Sequence, residues 1–130
     1  MNIPENLLYT KNHEWLSVEG ENGRIGISDF AQHHLGDIVY IELPELDMET
    51  AAGDSIGVIE SVKAVATIFC PVDGTIVEVN EELEESPELI NQDPYENWIA
   101  VFEINNRDDL DSLMNAQVYA EYCKSQAENE

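Results

Sequence analysis

Basic residues are nearly missing from this 130-residue chain: five Lys and Arg stand against 28 Asp and Glu, a formal net charge of −23. A surface that negative repels phosphate backbones and anionic lipid, which excludes nucleic-acid and membrane-surface partners. It keeps the chain soluble and monomeric and leaves protein partners with basic docking faces. Long apolar runs are missing too, since nothing approaches the roughly 18 to 20 residues of a membrane span. The opening Met1-Asn2-Ile3-Pro4-Glu5-Asn6 shows neither a basic start followed by an apolar core nor an Arg-rich amphipathic pattern, so no export or transit signal is read. Cysteine is scarce. Cys70 and Cys123 lie far apart, outside any CxxC, and read as free thiols of a reducing compartment, the cytoplasm.

Catalytic signatures are absent as well. There is no GxSxG, no HExxH and no phosphate-cradling glycine loop. His33 and His34 are adjacent and, on a helix, point roughly 100° apart. A metal site built from His13-Glu14 and a distant histidine is outweighed by ordinary surface or satisfied histidines. A Cys70–His nucleophile pair has no supporting signature. The run Glu81, Glu82, Glu84, Glu85 lacks the spacing of a calcium loop and reads as a solvated face. A non-catalytic protein is expected.

What is present is a fold-competent chain, 43% hydrophobic, without low-complexity linkers. Residues 1–130 read as one domain, strand-rich over 13–104, with a C-terminal helix over about 108–124. Residues 15–18 and 24–27 flank a Gly-rich turn and predict a hairpin. Ser28 caps a short helix over 29–35 that Gly36 stops. Gly36-Asp37 and Gly53-Asp54 each open a β-rich run, over 38–43 and 55–60, and further strands are expected over 64–70, 75–79 and 98–104. In the C-terminal segment Leu110, Leu113, Met114, Val118 and Tyr122 share a helical face behind an Asn106 cap. The pattern predicts a mainly β fold, a small barrel or sandwich with minor helices.

One base stands apart. Of the three lysines, Lys11 and Lys124 lie in polar, terminal surroundings, whereas Lys63 sits between two β-rich segments in residues 61–72, which hold no carboxylate. The short connection places it at a hairpin tip, a primary amine on a flexible stem within reach of another protein. From spacing alone, an ordinary exposed turn lysine and an amide-linked carrier lysine both stay open.

The string Glu60-Ser61-Val62-Lys63-Ala64, followed by Pro71-Val72-Asp73-Gly74, resembles the attachment hairpin of lipoyl domains. Val62, where other lipoyl domains place Asp, is similar to the H-protein family of the glycine cleavage system. His13-Glu14-Trp15, Gly26-Ile27-Ser28-Asp29-Phe30, Leu35-Gly36-Asp37, Leu89-Ile90-Asn91 and Asp93-Pro94-Tyr95 resemble that family in its order. Departures are Cys70 in place of serine, Asp47-Met48 in place of a glycine, and Ala66-Thr67 in place of a more polar pair. The resemblance implies a barrel-sandwich hybrid of the lipoyl/biotinyl type that carries lipoic acid on Lys63 and shuttles the aminomethyl group of glycine. The implied partners are a pyridoxal-phosphate glycine decarboxylase, a tetrahydrofolate-dependent aminomethyltransferase, an FAD-containing dihydrolipoamide dehydrogenase and lipoyl- or octanoyl-attaching enzymes. Glu60 and Ser61 are expected to mark the hairpin for the attaching enzyme, and Glu14 and His34 to belong to a cleft that shelters the loaded arm. Two other roles stay open: a relay that donates lipoate to other enzymes, and an acidic interaction protein that mimics nucleic acid.

Overall fold

The structure is a computed structural model that describes residues 1–128. Among the described residues it is mainly β with minor helices, as expected: nine strands in two antiparallel sheets. The larger sheet has the order β1 (Leu8–Tyr9), β2 (Glu14–Glu19), β3 (Asn22–Ile27), β9 (Ala100–Ile104), β8 (Gly74–Val79), β5 (Glu49–Thr50). The smaller has the order β4 (Ile38–Glu42), β6 (Ser55–Ser61), β7 (Val65–Phe69). One apolar cluster draws from both sheets, with Leu16, Ile25, Ile76 and Phe102 from the first and Ile41, Ile59 and Ile68 from the second. Burying such side chains on the inner faces, with polar residues alternating outward, is what commits each strand to its register.

Local signals placed most of these elements. β2 and β3 pair through the expected hairpin, Glu19 opposite Asn22. Helix α1 (Asp29–Leu35) begins where the Ser28 hydroxyl accepts the Ala31 N–H at 3.2 Å and ends at Gly36, whose φ of +75° suits a residue without a side chain. Asp47 takes φ +65°, the left-handed region, at the position where the resemblance anticipates glycine.

The C-terminal expectation is corrected. Residues 108–124 are not one helix: Arg107–Ser112 forms a 3₁₀ turn capped by Asn106, and helix α4 starts only at Ala116 and runs to Glu128. Between them Met114 and Tyr9 exchange backbone hydrogen bonds at 2.8 Å, so the chain is held extended there as an annex to β1. The buried face of α4 is also different, made by Ala116, Tyr119 and Cys123, while Val118 is 47% exposed. Two one-turn helices that acidic composition concealed, α2 (Glu82–Glu85) and α3 (Leu89–Gln92), bury Leu83 and Ile90. The two-residue strands β1 and β5 are too short to leave a pattern.

Candidate functional site

The connection between β6 and β7 is a tight turn with Lys63 at its tip. Ser61 N–H donates to the Ala64 carbonyl at 2.8 Å, and the Ser61 hydroxyl accepts the N–H groups of Lys63 and Ala64 at 3.2 and 3.0 Å. The Ser61 side chain therefore builds the turn that presents the lysine, as short hydroxyl side chains do. Lys63 itself is exposed. Its stem passes over Gly36, where an added Cβ would sit 3.4 Å from Lys63 Cε, so the glycine that ends α1 also leaves room for the lysine.

The tip is anchored from below. Val62 N–H donates to the Asp37 carbonyl at 3.0 Å. The segment around Asp37 is gripped by Asn91 of α3, which accepts the Ile38 N–H at 2.9 Å and donates to the Gly36 carbonyl at 2.9 Å and to Gln32 at 3.0 Å. Glu60 lies on the sheet face away from the core, exposed, with Tyr40 and Val65 as its cross-strand neighbours.

Along β7 from the tip opens a cleft of about 210 Å³, floored by Ile27, Phe30, Leu35, Ile59, Ala66 and Ile68. Its polar lining is Asn12, His13, Glu14, His34, Thr67 and Gln126. Thr67 lies four residues beyond Lys63, roughly 13 Å at strand rise. The volume is below the usual size of a site for a whole ligand, and suits the end of a tethered one.

Glu14 is the chemically distinctive group. It is 2% exposed, at the start of β2 after the tight turn through His13. Thr10 Oγ1 accepts the N–H groups of Asn12 and Glu14, at 3.2 and 3.1 Å, which occupies both its lone pairs and commits its proton to Glu14 Oε1 at 2.7 Å. Oε2 accepts the Phe69 N–H at 2.9 Å. Burial pushes the carboxyl up to about 7, against the opposing pull of these two donors. Its remaining lone pairs suit a cation, whose arrival would stabilise the ionised form.

His34 stacks on Phe30 at 4.1 Å, and its Nδ1 lies 3.1 Å from the Phe30 carbonyl; a carbonyl only accepts, so Nδ1 is the donor. The structure thus brings Glu14 and His34 into one cleft beside the Lys63 hairpin and leaves Glu60 outside it. Asn91, Phe30 and Thr10 were not singled out by sequence reasoning as functional, because each works through a partner that local pattern does not reveal. No group of three or more metal-ligating side chains occurs among the described residues.

Residues 7–126 match the family model described as glycine cleavage H-protein. The chain is 56% identical over 126 residues to a protein of Syntrophomonas wolfei named glycine cleavage system H protein, covering 97% of each chain. It is 52% identical over 121 residues to one of the same name from Alkaliphilus oremlandii, covering 93% of this chain and 95% of the other. The crystal structure of a glycine cleavage system H protein from Mycobacterium marinum superposes with a TM-score of 0.84 at 33% identity, covering 96% of this chain and 99% of that one.

Proposed function

The chain belongs to the glycine cleavage H-protein family, and on that premise we propose that Lys63 is the residue that carries its lipoyl group. The role is that of the family, a non-catalytic lipoyl carrier in glycine cleavage. Lipoate relay and nucleic-acid mimicry are not favoured by these likenesses. The observation that carries the Lys63 assignment is its place at the tip of a tightly hydrogen-bonded hairpin, in a stretch over residues 61–72 without a carboxylate, whose second strand lines the cleft.

The residues present fit the group. An exposed ε-amine accepts an acyl chain as an amide and loses its charge, Gly36 leaves the stem free, and the apolar cleft floor accepts a hydrocarbon end. Lipoate, when bound, supplies a disulfide and dithiol pair at which a one-carbon amine is taken up and given away. The chain's own groups then shelter that cargo. Glu14 faces the cationic amine with its free lone pairs, His34 lines the same wall, and Phe30, Leu35, Ile59 and Ile68 exclude the water that would cleave it. Thr67 offers a neutral hydroxyl, so Glu14 stands as the anionic group of the cleft lining.

In this reading a pyridoxal-phosphate glycine decarboxylase loads the arm, a tetrahydrofolate-dependent aminomethyltransferase unloads it, and an FAD-containing dihydrolipoamide dehydrogenase reoxidises it. The attaching enzyme reads the tip through exposed Glu60 and the turn that Ser61 builds. The carrier works as a monomer in the cytoplasm, where its two buried thiols stay reduced. The test is intact and peptide mass spectrometry after incubation with lipoate, ATP and a lipoate-attaching enzyme. The wild-type Lys63 peptide gains one lipoyl mass and Lys63→Arg gains none; lipoate on Lys11, Lys124 or the variant would overturn the assignment.

A further inference from the structure

The Tyr119 hydroxyl on α4 lies 2.6 Å from Ser28 Oγ and 2.8 Å from His13 Nδ1. These partners belong to different walls of the cleft. Ser28 caps α1, which supplies Phe30, Ala31, His34 and Leu35, and His13 immediately precedes Glu14. His13 is itself held in an uncommon conformation, φ +67°, with its ring stacked on Phe30 at 4.6 Å. Tyr119 is fully buried and stacks on Tyr9 at 4.4 Å with the rings 3° apart, so its hydroxyl has little freedom to move.

Proton bookkeeping gives this chain of groups a direction. Ser28 Oγ accepts the Ala31 N–H, and its own proton is used if it donates to Tyr119, which in turn donates to His13 Nδ1. The opposite direction leaves the Ser28 proton without an acceptor in a site 1% exposed. Turning the Tyr119 proton to its other neighbour, the Cys123 thiol, would exchange an imidazole nitrogen for a weak sulfur acceptor. His13 then carries its single proton on Nε2 and is neutral.

We propose that Tyr119 is a positioning residue of the carrier: through Ser28 and His13 it locks both walls of the cleft and holds His13 as the neutral Nε2–H tautomer, so that no second cation meets the loaded arm beside Glu14. This rests on the cleft reading above. The titratable groups that face His13 are His34 on α1, Tyr119 and Tyr122 on α4, and Glu14 one residue along. Burial, with His34 nearby, holds His13 below the usual histidine range, in accord with the neutral ring. An imidazolium here would repel a cationic amine at close range in a poorly screened site.

Two measurements test it. Nitrogen NMR of isotope-labelled histidine in the unlipoylated wild-type protein is expected to show His13 protonated at Nε2 and bare at Nδ1. A His13 protonated at Nδ1 overturns the proposal without any variant being made. Tyr119→Phe keeps the ring and its stack and removes only the hydroxyl. It is expected to give mixed His13 tautomers and to shorten the lifetime of the loaded arm, read as ammonia release, about fivefold, the worth of one buried hydrogen bond. Val118→Ala, on the exposed side of the same helix, is expected to leave both readouts unchanged. If Glu14→Gln shortens the lifetime and Tyr119→Phe does not, the Tyr119 role is wrong and the cleft reading stands; if neither does, the cleft reading falls and the Tyr119 role with it.

Discussion

Glu14→Gln removes an ionisable group and keeps its size, and its consequence can be worked from the burial of the carboxyl. In the folded protein the group titrates at about 7, burial outweighing the Phe69 and Thr10 donors, against 4.5 for an unperturbed glutamate. Because the folded-state value is raised, the folded protein binds more protons than the unfolded chain between those limits. Its stability therefore falls as pH rises from about 4.5 to about 7 and levels off above. At 1.36 kcal/mol per unit, the full effect is about 3.4 kcal/mol, of which about 2.5 kcal/mol develops between about pH 5 and about pH 8. Glutamine titrates nowhere in this window. It also takes only one of the two donors on its single oxygen, a cost of about 1–3 kcal/mol that does not change with pH. Urea denaturation of the unlipoylated proteins across that range isolates the titrating part as a difference of differences. The stability of Glu14→Gln relative to wild type is expected to rise by about 2.5 kcal/mol from the acid to the alkaline end. A gap that stays flat within about 0.5 kcal/mol refutes the burial argument. In the lipoylated protein the counter-ion role proposed for Glu14 requires the same substitution to shorten the lifetime of the loaded arm.

Asn91→Ala deletes three hydrogen bonds around the segment that docks the lysine hairpin, and is expected to cost about 2–3 kcal/mol and to speed amide exchange at Val62. Unchanged exchange at Val62 would show that the tip does not depend on α3. Gly57→Ala puts a Cβ 2.5 Å from the Glu42 carbonyl oxygen, which only a shift of β4 relative to β6 relieves; a loss of roughly 1–3 kcal/mol in urea is expected. Cys70→Ser keeps an acceptor for the Thr50 hydroxyl and a donor for the Val72 carbonyl, so stability is expected to stay within about 1 kcal/mol of wild type. Cys70→Val strands the Val72 carbonyl and is expected to cost about 1–3 kcal/mol on the same scale.

Much of this protein was legible from local pattern. Period-two alternation and Gly, Pro and Asp turns marked the longer strands, and Ser28 and Gly36 bounded α1, because each of these preferences acts within a few residues. Lys63 was legible for the same reason: a short gap between two β-rich runs leaves a hairpin, and whatever stands in the gap stands at its tip. The charge excess is likewise read without reference to any fold, and it carries the expectation that polyanionic partners are repelled. What pattern misjudged lay where a long-range contact overrides a local one. Met114 is drawn into an extended bridge with Tyr9, 105 positions earlier, so the helical periodicity before it does not become helix. The same docking turns Tyr119 rather than Tyr122 into the core.

The cleft is the extreme case. Glu14 and His34 were named by resemblance, but their meeting beside the Lys63 hairpin is made by the β2–β3 pairing, the cap of α1 and the β6–β7 register. The raised pKa of Glu14 has no sequence signature, since it depends on how much water the surrounding side chains exclude. Sequence alone therefore determined which lysine stands at a hairpin tip, because display is a property of a turn. Only the tertiary structure decided what lies within reach of that lysine, because the cleft and the burial of Glu14 are set by groups that meet only when the sheets and helices pack.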